Sequence, residues 1–152
     1  MGKPYHTHSR VRRTNYHWLF LSRVLNSLDF NREDTPVAND FLQGELKKIT
    51  QDKRWEFPLN NAMAAAYLLA HFKGENLKIF DMSKRSALCD FNVVATAQNV
   101  MQSRSMADEI ASQFRALGTT VRSMEGYGSA DWILIDTGDV IVHIFQDTTR
   151  DI

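Results

Sequence analysis

Three groups of side chains in this 152-residue sequence are of the types that do chemistry, and their spacing tests each one. Gly128 and Ser129 stand ahead of Asp131, Asp136 and Asp139. A Gly-Ser before a strand that bears two acids is the raw material of metal-dependent nucleotidyl transfer, in which paired carboxylates hold divalent cations. That chemistry needs acids two residues apart, on one face of a strand. Asp136 and Asp139 are three apart with a glycine between them, so a turn-shaping role for Asp139 and a strand-ending role for Asp136 fit better. His143 lies in Val140-Ile141-Val142-His143-Ile144-Phe145. Alternation puts Ile141, His143 and Phe145 on one face and Val140, Val142 and Ile144 on the other. A base is recognised by its partners, and no nucleophile neighbours His143 in sequence, so a hydrogen-bonded wall residue is the expected role. Trp132 opens the preceding strand beside polar Ser129 and Asp131, as a plug for the core or as an anchor at the sheet rim.

Other chemistries find no footing. The seven glycines are scattered and form no phosphate-binding loop, and no nucleophile elbow occurs. The single cysteine, Cys89, excludes an internal disulfide and a cysteine-built zinc site. It borders an apolar run, where an inert packed thiol is expected. His6, His8 and His17 have no scaffold to make them metal ligands. No cofactor, metal site or catalytic residue is assigned. Eighteen Lys/Arg balance eighteen Asp/Glu, less basic than a generic electrostatic nucleic-acid binder. The balance hides an asymmetry. Residues 1–57 carry ten basic and seven acidic side chains, and residues 58–152 carry eight and eleven. The opening stretch has Lys3, Arg10, Arg12, Arg13 and Arg23 and no acid before Asp29. That is the pattern of an RNA-touching arm, an organellar presequence or a frayed terminus. Asp29, Glu33 and Asp34 follow closely and favour the cytoplasm over mitochondrion or plastid. The apolar stretch around Trp18–Leu21 is too short to span a bilayer.

These residues need elements to position them. Tyr16 to Leu28 has helix-like apolar spacing, residues 31–39 read as a loop, and Asp40 caps a predicted helix over 41–50. Lys53 to Pro58 breaks the pattern. Asn60 or Asn61 caps a helix over 62–72, closed by Lys73-Gly74. Strands are predicted over 77–82, 91–96, 120–124, 132–136 and 140–145, with a helix over 103–117 that Gly118 stops. Thr137-Gly138-Asp139 is short enough to make the last two strands an antiparallel hairpin. The fold class expected is α/β with α+β character. One mixed sheet of about five strands runs in the order α-β-β-α-β-β-β with helices packed on it, behind an N-terminal helical or disordered extension. Residues 1–57 form the extension and 58–152 the domain.

Taken together, the residues resemble the ribosomal silencing factor family (RsfS, or Iojap). The family's strand D-[YF]-x-[VI]-[IV]-A-T is matched by Asp90, Phe91, Val93, Val94, Ala95 and Thr96, with position 92 open. Arg104, Ser105, Ala107 and Asp108 match the helix that follows, Glu125-Gly126 match an E-G pair, and Arg150 matches a late arginine. The most specific stretch, W-[IV]-L-[IL]-D-x-G-D-[VI]-[VI]-V-H-[IV]-F, is met at every defined position from Trp132 to Phe145. Ala97 stands where the family has glycine, and Met101 where it has a basic residue. A tyrosine-aspartate-leucine stretch beyond the arginine has no counterpart up to Ile152. The resemblance implies a nucleotidyltransferase-like sheet without catalytic acids, and a protein that is not an enzyme. It implies binding to the fourteenth protein of the large ribosomal subunit, steric blockage of subunit joining, translational repression and, in organellar relatives, help in large-subunit assembly. Relatives also suggest a homodimer in the free state. Trp132, Leu134, Asp136, Gly138, Asp139 and His143 are the contact residues expected, with Trp132 as apolar anchor and Asp136 as partner for Lys or Arg. Two other classes stay open: a divergent magnesium-dependent nucleotidyltransferase using Ser129, Asp131 and Asp136, and an RNA-binding assembly protein acting through the basic arm.

Overall fold

All seven residues of Phe91–Ala97 are buried, and six of the seven in Val140–Gln146 are, so these two strands must lie inside a sheet with neighbours on both edges. The computed structural model, which describes residues 36–84 and 88–147, places them there. In chain order the elements are α1 (Pro36–Thr50), α2 (Leu59–His71), β1 (Glu75–Asp81), β2 (Phe91–Ala97), α3 (Val100–Ala116), β3 (Ser123–Glu125), β4 (Trp132–Asp136) and β5 (Val140–Gln146). The strands form one five-stranded sheet in the order β1-β2-β5-β4-β3. Only β2 and β5 run parallel, and the α3 crossover lies between them in the chain. The other three pairings are antiparallel, which makes the sheet mixed, as expected.

Strand alternation assigns the faces. Ile133, Ile135, Val140, Val142, Ile144, Val93 and Ala95 point to the helices and share one core with Leu68, Leu69, Met106, Ile110 and Phe114. Leu42, Leu46 and Ile49 of α1 and the loop residue Trp55 belong to that same core. The opposite face carries a second cluster of Phe80, Met82, Cys89, Val94, Ile141 and Phe145, with Trp132 and Leu134 packed against it. The division of β5 into Val140/Val142/Ile144 and Ile141/His143/Phe145 is the one alternation predicts.

Several boundaries differ from expectation, each for a local reason. The first described helix starts at Pro36, so the predicted loop over 31–39 is helical from 36 on, and Asp40 sits inside the helix instead of capping it. Proline suits a first helical position, where its missing N–H would have had no partner. Neither Asn60 nor Asn61 caps α2, since Pro58 occupies that place without a side-chain hydrogen bond. Asn60 Nδ2 donates instead to Thr50 O at 2.8 Å, and Trp55 Nε1 donates to Ile49 O at 2.9 Å. Both satisfy carbonyls at the C-terminus of α1 that the helix itself leaves open. At the end of α2 the left-handed residue is Lys73 (φ 66°), and Gly74 N reaches back to Leu69 O at 2.7 Å. Gly74 is required by space, because a Cβ there would stand 2.8 Å from Met106 Cε and 2.9 Å from Leu69 O. Helix α3 begins earlier than Ser103 because Asn99 caps it, accepting from Gln102 N at 2.8 Å. Gly118 (φ 86°) ends it, as predicted. The strand expected over 120–124 is shorter, Ser123–Glu125: β4 ends at Asp136, which pairs with Ser123, and the last link is Arg122 N donating to Asp136 O at 2.7 Å. The helix read over Tyr16–Leu28, the basic arm and Arg150 lie outside the described residues.

Candidate functional site

The residues singled out on β4 and β5 are brought together by hairpin register. Trp132 pairs with Phe145, Leu134 with His143, and Asp136 with Ile141, all on the face away from the helices. The indole of Trp132 stacks on Phe145 with ring centres 5.0 Å apart and lies 5.8 Å from the His143 ring. Trp132, Leu134 and Asp136 are half-buried, so the row keeps contact area for solvent or a partner. Trp132 is therefore neither a fully enclosed plug nor a loose surface side chain. Its ring rests on an aromatic floor with one side partly open.

His143 is placed differently from a contact residue. It has no exposed surface and lies beneath Trp132. Trp132 Nε1 donates to His143 Nδ1 at 3.0 Å, and His143 Nε2 lies 2.9 Å from Asn92 Oδ1. Burial pushes the imidazole down to about 3, so it is neutral at any ordinary pH. The wall role read from its sequence context is the one it occupies. Asn92 was not among the expected site residues. Its signal was an amide inside an otherwise apolar strand, which demands a buried partner.

The β4–β5 turn closes one end of the row. Asp136 Oδ1 accepts from Gly138 N at 2.7 Å, and Gly138 adopts φ 98°, where a side chain would be strained. Thr137 Oγ1 donates to Val140 O at 2.6 Å. The carbonyl of Asp139 accepts from Asp90 N at 2.8 Å and Phe91 N at 3.0 Å, which ties the turn to the start of β2 while the Asp139 side chain is exposed. Cys89 sits behind this turn, buried. Burial, then the charges of Asp90 and Asp136, push its thiol up to about 11, the inert state expected.

The loop that delivers Trp132 is held by α3. Arg104 Nε donates to Tyr127 O at 3.0 Å, the same guanidinium donates to Gly128 O, and Tyr127 Oη donates to Asp108 Oδ2 at 2.8 Å. That last bond to Asp108 raises the Tyr127 phenol above its ordinary range. Gly126 (φ 80°) admits no substitute, because a Cβ would meet Trp132 O at 2.0 Å. The matched Arg104, Asp108 and Gly126 thus act as a clamp around the loop. Met101, where a basic residue was expected, is 82% exposed on the first turn of α3.

The arrangement does not suit metal-assisted transfer. Ser129 and Asp131 precede β4 and Asp136 ends it, so the strand's five residues separate them by about 17 Å at the usual rise per residue. Among the described residues no three His, Cys, Asp or Glu side chains gather where they could hold one ion. Among the same residues no helix is long and apolar enough to cross a membrane.

A family model described as ribosomal silencing factor during starvation matches residues 56–152. A Chromobacterium violaceum protein named ribosomal silencing factor RsfS is 31% identical over 83 residues, covering 55% of this chain and 68% of that protein. The Haemophilus influenzae protein of the same name is 33% identical over 79 residues, covering 52% and 78%. A crystal structure from Bacillus halodurans superposes with a TM-score of 0.56 at 28% identity, over 62% of this chain and 87% of that one. One from Chromobacterium violaceum gives 0.53 at 26%, over 68% and 73%.

Proposed function

The chain belongs to the RsfS family of ribosomal silencing factors, and from that premise we propose that it binds the large ribosomal subunit through its fourteenth protein. Seated there, it occupies the face on which the small subunit docks, and translation is repressed because the subunits fail to join. Such a protein works by occupancy and needs no bond made or broken. The observation that carries this reading is the row on the second sheet face. Trp132 is offered half-open on a floor of Phe145 and His143, with Leu134 beside it and the Asp136–Asp139 turn at the end.

A rigid, partly exposed tryptophan flanked by aliphatic and acidic groups has the composition of an interface centre. It removes a large apolar area from water with little side-chain freedom left to lose. The acids at the turn, and the excess of eleven acidic over eight basic residues in 58–152, favour a basic partner and guide its approach. Truncation of such an anchor commonly costs about 2–4 kcal/mol of binding, roughly 30- to 1,000-fold in affinity. Trp132→Ala is therefore expected to abolish co-sedimentation with large subunits while far-UV circular dichroism stays native. Intact co-sedimentation by a folded Trp132→Ala protein would remove Trp132 from the contact and this reading with it.

A further inference from the structure

The geometry points to Asn92 as a positioning residue for this surface: by holding the proton of His143 on Nε2 it keeps Nδ1 open to grip the Trp132 indole, and so sets the plane in which Trp132 is offered. The inference rests on the docking reading above and names what holds its central side chain in place. Asn92 occupies the position that the family's strand pattern leaves open.

Donors and acceptors fix the arrangement. An indole nitrogen can only donate. With Trp132 Nε1 at 3.0 Å from His143 Nδ1, that nitrogen must carry a lone pair. A neutral imidazole has one N–H, which must then be on Nε2. Nε2 lies 2.9 Å from Asn92 Oδ1, an acceptor, so the chain runs indole to imidazole to amide without a donor facing a donor. Strand register makes the reach natural. Val94 is paired with His143 and Asn92 with Ile141, so Asn92 is the diagonal neighbour of His143 on the same face. The Cys89 thiol points at the same amide oxygen from 3.6 Å, so the oxygen takes two donors.

Asn92 is fully buried, and its Nδ2 has no hydrogen-bond partner among the described residues. A buried amide with an unpaired N–H is costly, and leucine at that position would carry no such cost. What offsets it is the work of Oδ1. Without that oxygen, the 2.9 Å contact that favours the proton on Nε2 is lost. A proton on Nδ1 would then confront the indole N–H, and the Trp132 ring would lose the bond that fixes its tilt.

The test uses the full chain labelled with 15N. In the unsubstituted protein the imidazole spectrum of His143 is expected to show a protonated Nε2 and a bare Nδ1; a proton on Nδ1 overturns the inference before any substitution is made. In Asn92→Leu, exchange of the Trp132 indole N–H should accelerate about fivefold or more, the factor one hydrogen bond is worth, with the backbone amides of β4 and β5 unchanged. Affinity for large subunits should fall by about the same factor. Asn92→Asp gives a readout that lost packing would not. The carboxylate draws a second proton onto His143, the imidazolium then presents N–H from both nitrogens, and indole protection should fall as pH is lowered. Among the described residues, Lys78 on β1, Cys89 and Asp90 before β2, Glu125 on β3 and Asp136 on β4 are the other ionisable groups at this face, and both variants keep them, so a difference between the two reports position 92. Unchanged indole protection in Asn92→Leu would overturn the inference. If that variant does not fold, the native tautomer and the Asn92→Asp pH profile decide the question. Failure of the docking reading looks different, with Trp132→Ala still binding subunits while the indole and imidazole signals follow position 92 as described.

Discussion

Acid should weaken this protein through one side chain more than any other described here. His143 is fully buried, and desolvation depresses its pKa from 6.5 to about 3. In the unfolded chain the imidazole protonates near 6.5, while in the native state it stays neutral down to about 3. Between those values the unfolded state binds the extra proton, so stability falls as pH falls, by about 1.4 kcal/mol per unit. At pH 7 nearly all of that stability is present. At pH 5, 1.5 units below the unfolded value, about 2 kcal/mol is lost. For a urea dependence of roughly 1.5 kcal/mol/M, that is a drop of about 1.3 M in the denaturation midpoint. The carboxylates titrate too, so the clean comparison is with His143→Phe, which keeps an aromatic ring under Trp132 but cannot protonate. Urea melts of both proteins at pH 7, 6 and 5 should show the wild type losing about 2 kcal/mol more than the variant over that range. Parallel losses would refute the buried neutral imidazole and the hydrogen-bond chain built on it.

Three more outcomes follow from particular contacts. Gly126→Ala should lower stability by about 2 kcal/mol or more, because φ 80° and a Cβ at 2.0 Å from Trp132 O cannot both be relieved, and a thermal melt reads it. Cys89 should resist iodoacetamide at pH 8: a thiol at about 11 instead of 9.0 holds roughly a hundredfold less thiolate. Mass spectrometry should find it unmodified in the native protein and labelled rapidly in urea. Asn60→Ala should cost about 1 kcal/mol by releasing Thr50 O at the end of α1, and should leave ribosome binding unchanged.

The hairpin and its faces were legible in the sequence because period-two alternation and a three-residue turn leave one arrangement that buries Val140, Val142 and Ile144 together. Helix α3 was legible for the same kind of reason, with Gly118 marking its end. The start of α1 was not, since Pro36 serves equally in a loop and at a first helical position. Asn60 was misjudged because its preference for caps describes a local bond, and the structure uses it for a carbonyl ten residues earlier. Within the site, the expected members of β4 and β5 do converge. His143 lies beneath the others because alternation names a face and says nothing about depth. Asn92 was missed because its partner is 51 residues away, and no local spacing joins them.

Whether the protein acts by covering a docking surface can be read with purified ribosomal subunits. Small and large subunits are mixed under joining conditions with increasing amounts of the protein, and light scattering follows association. Joined particles are expected to fall in step with occupancy of the large subunit, and Trp132→Ala is expected to restore joining at the same concentrations. Undiminished association with the large subunit saturated by the protein would contradict that mode of action.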